Sequence, residues 1–362
     1  MRNIICFILI TATFLSCGGK RNKNLLPPAS GRAGEIIVVM DSALWKSEVG
    51  EEIKNTFRAE VGALPRAETM FKINYVDPRN LNSVLKTVKN LLFVMTINDN
   101  NPGSRVVRNY FTKSSLEKIK EDPNLFVHTA NDEFAKGQAV MYLFGQNRDA
   151  LAENIRKNRK NLQAYFDKAE NKRLLKGLYA AKESEGSMNM LIEDHDCSLR
   201  IPFGYKLAVK QPGFVWFRQI NAESDMNIFI TYKPYTSENA FKKEAIIRLR
   251  DSVASRQLFE DPAKPETHIV TETTVPYIPV TTRQVTFNGQ YAIEMRGLWK
   301  TNNFSMGGPF ISYTLVDEKL GRLYYIEGFV YSPGKKQREL IRELEVILST
   351  FKTKEQLQPS DG

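Results

Sequence analysis

Cysteine is scarce in this chain of 362 residues, which contains only Cys6, Cys17 and Cys197. The first two lie in or beside an apolar N-terminal run, so Cys197 has no intramolecular partner in the rest of the chain. A disulfide framework of the kind that stabilises small exported domains is therefore excluded, and stability must come from packed cores. We expect Cys197 to be a small buried hydrophobe at the start of a strand.

Histidine is equally scarce, and the three histidines are His128, His195 and His268. The best cluster of metal-ligating side chains, residues 193–197, places its donors on adjacent positions, which rarely point at one metal. We interpret this segment as a solvated loop between domains that leads into a strand. A nucleophile elbow, a phosphate-binding loop and a His-Glu-x-x-His helix are also absent from the sequence. The sequence therefore predicts no catalytic residue, no metal site and no cofactor.

One apolar run stands out, and it is too short to span a bilayer, which takes about 20 apolar residues. It extends from Ile4 to Leu15 behind the positive charge of Arg2, and the sequence becomes abruptly polar after Cys17. This layout is typical of a secretory signal peptide, which we assign to residues 1–16. The segment resembles a bacterial lipoprotein signal, which implies that Cys17 is lipidated and anchors the mature chain to a membrane. A cleaved signal without lipid is the alternative.

Acidic residues are fewer than basic ones, and the formal net charge is +10. The basic residues are spread along the chain, which is compatible with binding to an anionic membrane, to glycans or to nucleic acid. Because the signal peptide predicts export, nucleic acid is not expected as a partner. Residues 17–33 contain Pro27, Pro28 and Gly31 and are typical of a flexible linker, and residues 356–362 form a polar tail.

Strand and helix patterns alternate in residues 34–185, which predicts an N-terminal α/β domain. Buried strands are expected at residues 35–40, 71–76, 91–97 and 138–144. Residues 148–182 form the longest predicted helix, with apolar residues on one face and many basic residues on the other. We interpret it as a helix packed on the sheet with a solvated basic face. Binding of that face to anionic lipid is the alternative.

A strand-rich pattern occupies residues 186–355 and predicts a C-terminal antiparallel sheet with helices on one face. The Asn-Gly pair that begins at Asn288 is a strong hairpin signal. In the strand that begins at Gln290, apolar residues alternate with others, so we expect Glu294 and Arg296 on a solvent-facing side. The fold class is therefore α+β, with two α/β sandwich domains after a signal peptide and a flexible stalk. The C-terminal half resembles the PsbP and Mog1 type of sandwich in element order.

Two groups of residues are candidates for ligand binding. Arg105 and Arg108 follow Asp99 in a turn-rich segment, where they could form a polar ligand site; a solvated loop is the alternative. Trp216 and Trp299 belong to a set of aromatic residues interleaved with basic ones, which is compatible with a glycan- or lipid-binding groove. Core packing is the alternative for these two side chains.

Several segments share a pattern with one family. They are the lipoprotein-type start, residues 31–40 (Gly-Arg-Ala-Gly-Glu-Ile-Ile-Val-Val-Met), residues 64–66 (Leu-Pro-Arg) with Phe71, and residues 213–218 (Gly-Phe-Val-Trp-Phe-Arg). Together they resemble Bacteroidetes lipoproteins grouped as domain of unknown function 4837. The resemblance covers nearly the whole mature chain and implies a Gram-negative envelope location, with no known activity, cofactor or site residue. Surface-exported lipoproteins of this phylum typically carry acidic residues after the cysteine, whereas Lys20, Arg21 and Lys23 are basic, which favours an outer-membrane protein facing the periplasm.

Two classes of function are compatible with these features. The first is a non-enzymatic envelope lipoprotein that binds or assembles an envelope protein or glycan, while a lipid on its N-terminus holds it at the membrane. It predicts a groove without convergent titratable groups. The alternative is a hydrolase or transferase acting on envelope glycans, which predicts paired carboxylates across a cleft.

Overall fold

The structure is a computed structural model that describes residues 25–181, 183–259 and 263–357. The predicted signal peptide, Cys17, part of the predicted linker and most of the predicted polar tail lie outside these residues. The described part is α+β, as predicted, with two large sheets that carry separate sets of helices. No helix within it is long and apolar enough to cross a membrane.

The N-terminal domain is built on a five-stranded sheet. Its strands are β1 (Glu35–Val39), β2 (Lys72–Val76), β3 (Asn90–Thr96), β4 (Val127–Asn131) and β5 (Ala139–Gly145). Its helices are α1 (Ser42–Trp45), α2 (Glu48–Phe57), α3 (Ser83–Lys86), α4 (Pro102–Arg108), α5 (Lys113–Glu121), α6 (Arg148–Lys157) and α7 (Arg159–Leu178), with a 3-10 turn at Pro78–Asn80. The strand order is β2-β1-β3-β5-β4, and every pairing is parallel except that of β4 with β5.

Helices cover both faces of this sheet, which explains why its central strands are apolar throughout. Ile53 of α2, Ile155 of α6 and Phe166 of α7 pack on one face. Val107 of α4 and Ile119 of α5 pack on the other. The sequence of β4 does not alternate between apolar and polar residues, so it did not predict a strand. The reason is that β4 is a mostly exposed edge strand.

The long helix predicted at residues 148–182 is two helices, α6 and α7, that meet at Asn158. The backbone N–H and the side-chain amide of Asn158 both donate to the carbonyl oxygen of Asn154, at 3.1 and 2.9 Å. A side chain that bonds nearby backbone competes with regular helix, which accounts for the break. The predicted packing of the apolar face on the sheet is confirmed, since Leu162 and Phe166 are buried there.

The C-terminal domain is built on an antiparallel sheet. The strands of this domain are β6 (Cys197–Ser198), β7 (Lys206–Gln211), β8 (Phe214–Ile220), β9 (Asp225–Pro234), β10 (Ile269–Glu272), β11 (Thr281–Phe287), β12 (Gln290–Thr301), β13 (Gly307–Asp317), β14 (Arg322–Tyr331) and β15 (Lys352–Thr353). The helices are α8 (Glu185–His195), α9 (Lys243–Gln257), α10 (Arg338–Leu348) and α11 (Lys354–Leu357), with a 3-10 turn at Glu238–Phe241. The sheet order is β10-β12-β13-β14-β9-β8-β7 with β11 beside β12, while β6 pairs separately with β15. The predicted hairpin at Asn288 joins β11 to β12, and the φ angles of Asn288 and Gly289 are +49° and +86°.

The expectation of helices on one face of this sheet is wrong, because helices cover both faces. Leu344 of α10 packs on one face, and Ile246 of α9 packs on the other. Glu294 and Arg296 lie on the face beneath α10 rather than in solvent, and Glu294 is only 3% exposed. The alternation of apolar and charged residues along β12 could not reveal this burial. Charged residues that face a helix of complementary charge give the same sequence pattern as charged residues that face water.

Gly50, in α2, occupies a position with no room for a side chain. A Cβ atom there would lie 1.9 Å from the carbonyl oxygen of Trp45, which ends α1. We expect Gly50→Ala to destabilise the protein by about 1–3 kcal/mol, although alanine favours helix. Gly177, in α7, faces open space, so Gly177→Ala is expected to stabilise by up to about 1 kcal/mol. Urea unfolding measures the change in the free energy of unfolding for both variants. A change of the same sign in the two would contradict the tight packing at Gly50.

Candidate functional site

A cleft of about 700 Å³ lies between the two domains. Its N-terminal wall is formed by the loop that follows α2 and by the first half of α7. Its C-terminal wall is formed by β11, β12 and α10. Clefts between domains are common binding sites because each wall contributes its own groups.

Glu294 is the hub of a charged network on the C-terminal wall. It accepts two hydrogen bonds from Arg283 at 2.8 and 2.7 Å, one from Arg296 Nε at 2.8 Å and one from the Tyr313 hydroxyl at 3.2 Å. Arg296 Nη2 also lies 2.8 Å from Glu345 Oε2, on α10. Contacts between charged groups, the two-pronged Arg283 contact above all, are the strong type of hydrogen bond. The network therefore links β11 and β12 to the helix above them.

The electrostatics of this network keep Glu294 ionised. Burial raises the pKa of the Glu294 carboxyl, but the hydrogen bonds from Arg283 and the charge of Arg296 outweigh burial and hold the pKa below its ordinary value. The Arg283 side chain is 63% exposed, whereas that of Glu294 is 4% exposed. Arg283 is therefore the member of the pair that an incoming ligand can reach.

Two contacts hold the N-terminal wall against α10. Arg342 Nη1 donates to Asp167 Oδ1 of α7 at 2.5 Å. Glu68, which follows α2, accepts the backbone N–H groups of Gln337 and Arg338 at 2.7 and 3.3 Å. These N–H groups begin α10 and have no partner inside the helix, so a carboxylate stabilises them and complements the helix dipole. The N-terminal domain therefore caps a helix that belongs to the C-terminal core, which fixes the two walls of the cleft.

The sequence predictions for site residues did not include this network. Its members come from a strand, a hairpin partner and a helix that are separated along the chain, so no local motif joins them. One signal was present: Glu294 and Arg296 are charged residues two apart in a strand whose other side is apolar.

The structure places the predicted ligand-binding pair, Arg105 and Arg108, on α4 of the N-terminal domain. Arg105 Nε donates to the carbonyl oxygen of Asn100 at 3.0 Å. Arg108 Nη2 donates to the carbonyl oxygens of Ile97 and Asp99 at 2.9 and 2.6 Å. Both guanidinium groups thus hold the turn between β3 and α4. Ligand binding by these residues stays a prediction, and neither lines the interdomain cleft.

Trp216 and Trp299 lie in the core between the C-terminal sheet and α9. Trp299 is 2% exposed, and its Nε1 donates to the carbonyl oxygen of Val330 at 3.1 Å. Trp216 is 8% exposed, and its Nε1 donates to Asn227 Oδ1 at 3.0 Å. Core packing, the alternative for both, accounts for these contacts, and a binding role stays a prediction. The two tryptophans and the two arginines are in different domains and do not form one site.

Residues 193–197, expected as a solvated loop, are instead the end of α8 and the start of β6. His195 is buried, and Asp196 alone forms the turn with φ +55° and pairs with Arg322 at 3.1 Å. A one-residue left-handed turn leaves no loop, and this is why the expectation fails. Cys197 is fully buried in β6, as predicted, and burial raises the pKa of its thiol. Across the described residues, no group of three or more His, Cys, Asp or Glu side chains could hold a metal ion.

His195 makes stability depend on pH in a direction that can be derived. Burial lowers the pKa of its imidazole; Nδ1 lies 3.2 Å from the Tyr232 hydroxyl, and Nε2 has no hydrogen-bond partner among the described residues. The folded state therefore binds fewer protons than the unfolded state, whose histidine pKa is about 6.5. The contribution of the neutral imidazole is complete above that pH and is lost as pH falls towards the lower folded pKa.

We expect His195→Gln to lose less stability than the wild type when pH falls from about 7.5 to about 5.5. Urea unfolding of both proteins at the two pH values measures the difference. His268→Gln is the matched control and should behave as the wild type. Equal losses in the wild type and His195→Gln would show that the buried imidazole does not act in this way.

Two family models match the chain, one for each domain. Residues 183–350 match the model described as Domain of unknown function (DUF4837). The C-terminal domain is a DUF4837 domain. Residues 29–179 match a second model, described as Domain of unknown function (DUF8532). The motifs at residues 31–40 and 64–66 therefore lie within the DUF8532 match, and the DUF4837 match covers less of the chain than the resemblance implied.

Solved structures add a distant similarity. A point mutant of the protein Mog1 is 10% identical, with 48% of this chain and 95% of that chain covered and a TM-score of 0.29. The Saccharomyces cerevisiae Ran-binding protein Mog1p is also 10% identical, with the same coverage and a TM-score of 0.30. No curated protein matches the chain.

Proposed function

We propose that this chain is a lipid-anchored cell-envelope protein whose DUF4837 and DUF8532 domains bind an acidic segment of an envelope protein in the cleft between them, without catalysis. The signal-like start and Cys17 support the anchor and the envelope address. The lining of the interdomain cleft supports the binding role, and it is the observation on which the proposal rests. The expectation of a groove without convergent titratable groups is wrong for this cleft, because Arg283, Glu294 and Arg296 converge in it.

The cleft offers more positive than negative charge to a partner. Its basic lining residues are Lys160, Arg283, Arg296, Arg338 and Arg342, and its acidic ones are Glu60, Asp167, Glu294 and Glu345. Lys160 is exposed and has no ion-pair partner in the described part of the chain. It lies on the N-terminal wall, and the exposed Arg283 lies on the C-terminal wall. An acidic segment that enters the cleft therefore meets an exposed cation on each wall, and pairing of opposite charges favours fast and selective association.

The charge state of the cleft weighs against the glycan hydrolase alternative. Such an enzyme needs two carboxyl groups across the substrate, one of which has a raised pKa and donates a proton. Glu294, the buried carboxylate of the cleft, has the opposite shift because of Arg283 and Arg296. Asp167 is held by Arg342 at 2.5 Å.

Metabolic labelling with a radioactive fatty acid tests the anchor. We expect label in the wild type and none in Cys17→Ala, because the thiol is the acylation site. Fractionation in high salt, which removes electrostatic attachment, should then find the wild type with membranes and the variant outside them. Label retained in Cys17→Ala would refute lipidation at this residue.

Site-specific photo-crosslinking tests the binding role. A photoreactive amino acid at Asn161 and another at Thr282 probe the two walls of the cleft, and one at Lys206 on β7 is the control. We expect one adduct that forms from both cleft positions and not from Lys206. The pair of changes Lys160→Glu and Arg283→Gln should abolish this adduct, whereas the charge-matched pair Lys206→Glu and Lys233→Gln should not. Absence of an adduct shared by the two walls would contradict the proposal.

A further inference from the structure

The chain joins the folded body at a defined place on the N-terminal domain. The backbone N–H of Ala29 donates to Lys136 O at 2.9 Å, and that of Lys136 donates to Pro27 O at 2.7 Å. Ser30 likewise donates to Thr87 O at 2.9 Å. The segment that follows Cys17 is therefore bonded to the body from Pro27 onwards.

Lys89 and Lys136 contribute backbone atoms to this junction, and the helix α7, which carries further lysines, lies beside it. The backbone of Lys89 donates to Ser30 O at 2.9 Å. Arg173 of α7 donates through Nη1 to the carbonyl oxygens of Gly137 at 2.9 Å and of Lys89 at 3.5 Å. The helix α7 is thereby held beside the junction, with Lys172 adjacent to Arg173 and Lys176 one turn further on. We name the four residues Lys89, Lys136, Lys172 and Lys176 the junction surface.

The lysines of the junction surface are not neutralised by the body. Lys136, Lys172 and Lys176 are exposed and Lys89 is half-buried. None of the four has an ion-pair partner among the residues described. Two half-buried acids lie near Lys136 in sequence: Asp132 accepts the backbone N–H of Gly137 at 2.5 Å, and Glu133 accepts the Tyr142 hydroxyl at 2.6 Å. Glu170 is buried and already paired with Arg173 at 3.0 Å, so the surface keeps a positive excess.

The length of chain between Cys17 and Pro27 brings this surface within reach of the anchor. Ten residues extend at most about 36 Å. A body held that close to a bilayer by its N-terminal side presents the junction surface at the base of the tether. Anionic lipid headgroups attract lysines over about one Debye length, roughly 10 Å at 0.1 M salt.

We propose that the junction surface binds the anionic phospholipid headgroups of the membrane to which Cys17 attaches the chain. This inference rests on the proposed lipid anchor and adds a second, electrostatic contact to it. A lipid on Cys17 holds the chain at the bilayer but leaves the body free to turn about its tether, and a basic surface attracted to anionic headgroups adds a contact that fixes the orientation of the body. The apolar face of α7 takes no part, because it packs on the sheet.

Vesicle co-sedimentation tests the junction surface by itself. The protein used is residues 18–362, which contain every described element and lack the lipidated cysteine. The vesicles are phosphatidylcholine alone or phosphatidylcholine with about one third phosphatidylglycerol, at low and at physiological salt. We expect binding to the anionic vesicles only, weakened by salt. The double change Lys172→Glu and Lys176→Glu should weaken it about tenfold or more, while the charge-matched Lys206→Glu and Lys233→Glu should leave it within about twofold.

Three results would overturn the inference. They are equal sedimentation with neutral and anionic vesicles, equal loss in the two double variants, and binding of double-stranded DNA in place of vesicles with the same sensitivity to Lys172→Glu and Lys176→Glu. Acyl labelling at Cys17 reads the anchor separately. A labelled protein without vesicle binding would overturn this inference alone, and vesicle binding by an unlabelled protein would overturn the anchor alone.

Discussion

Removing either member of the Arg250–Glu327 pair is expected to destabilise the C-terminal domain by about 3–5 kcal/mol. Arg250 of α9 and Glu327 of β14 are both 0% exposed, and two nitrogen–oxygen pairs join them at 2.8 Å each. Arg250 Nη1 also donates to Thr271 Oγ1 at 3.1 Å, and the Tyr325 hydroxyl donates to the Glu327 carboxylate. The guanidinium lies 4.3 Å from the centre of the Phe310 ring. The Glu327 charge therefore depends on Arg250 for compensation, whereas Arg250 Nη1 also lies 3.6 Å from Asp251 Oδ1.

The expected loss arises from the charge that remains. In Arg250→Met, the Glu327 carboxyl must either carry its charge among apolar groups or bind a proton. Burial already raises the pKa of Glu327, and the loss of the guanidinium raises it further. A group whose pKa is higher in the folded than in the unfolded state stabilises the fold when it is protonated. The free energy of unfolding of Arg250→Met should therefore be larger at about pH 5 than at about pH 7.

Urea unfolding followed by circular dichroism measures these effects. We expect large losses for Arg250→Met and Glu327→Leu, and recovery of most of the loss in the double variant, which removes both charges. Lys335→Ala is the control, since it breaks an ion pair with Glu223 whose side chains are 54% and 71% exposed. It should cost less than about 1 kcal/mol. Single variants of the buried pair that behaved like this control would contradict the argument.

Local patterns were sufficient for much of the fold. The apolar run at β1 predicted a buried strand because helices cover both faces of the parallel sheet. The Asn-Gly pair at Asn288 predicted its hairpin because the turn needs two residues with positive φ, and both have it. In each case the decisive information lies within about ten residues of chain.

The remaining features depend on contacts that no local pattern contains. Residues 193–197 were interpreted as a loop between domains because their polar side chains hid the end of a helix, α8, that is closed by a single left-handed residue, Asp196. Glu294 was placed in water because its contact with Arg283 of β11, and that of Arg296 with Glu345 of α10, join residues that are far apart along the chain. The cleft itself requires Glu68 of one domain to cap a helix of the other. Sequence separation, rather than weak local signal, is what made the candidate site unpredictable.

Trp299→Ala is expected to destabilise the C-terminal domain by about 3–5 kcal/mol, because this side chain fills the core between the sheet and α9. The indole meets the Phe329 ring edge-on at 5.5 Å. Its Nε1 lies 3.1 Å from Val330 O, over Gly308, where an added Cβ would approach the same carbonyl oxygen to 2.0 Å. Gly308 has no side chain, and this leaves room for the indole to reach Val330. A side chain smaller than tryptophan at position 299 would leave that room empty.

Trp299→Phe separates the two parts of this contribution. Phenylalanine keeps most of the apolar volume but leaves the Val330 carbonyl without its donor, so a loss of about 1–3 kcal/mol is expected. Far-UV circular dichroism in urea measures both variants without relying on tryptophan fluorescence. If Trp299 were instead a ligand contact in an open groove, Trp299→Ala would keep near wild-type stability and lose binding. A larger loss of stability in Trp299→Ala than in Trp299→Phe identifies Trp299 as a core residue. Only a site that is both filled and hydrogen-bonded responds separately to the lost volume and to the lost hydrogen-bond donor.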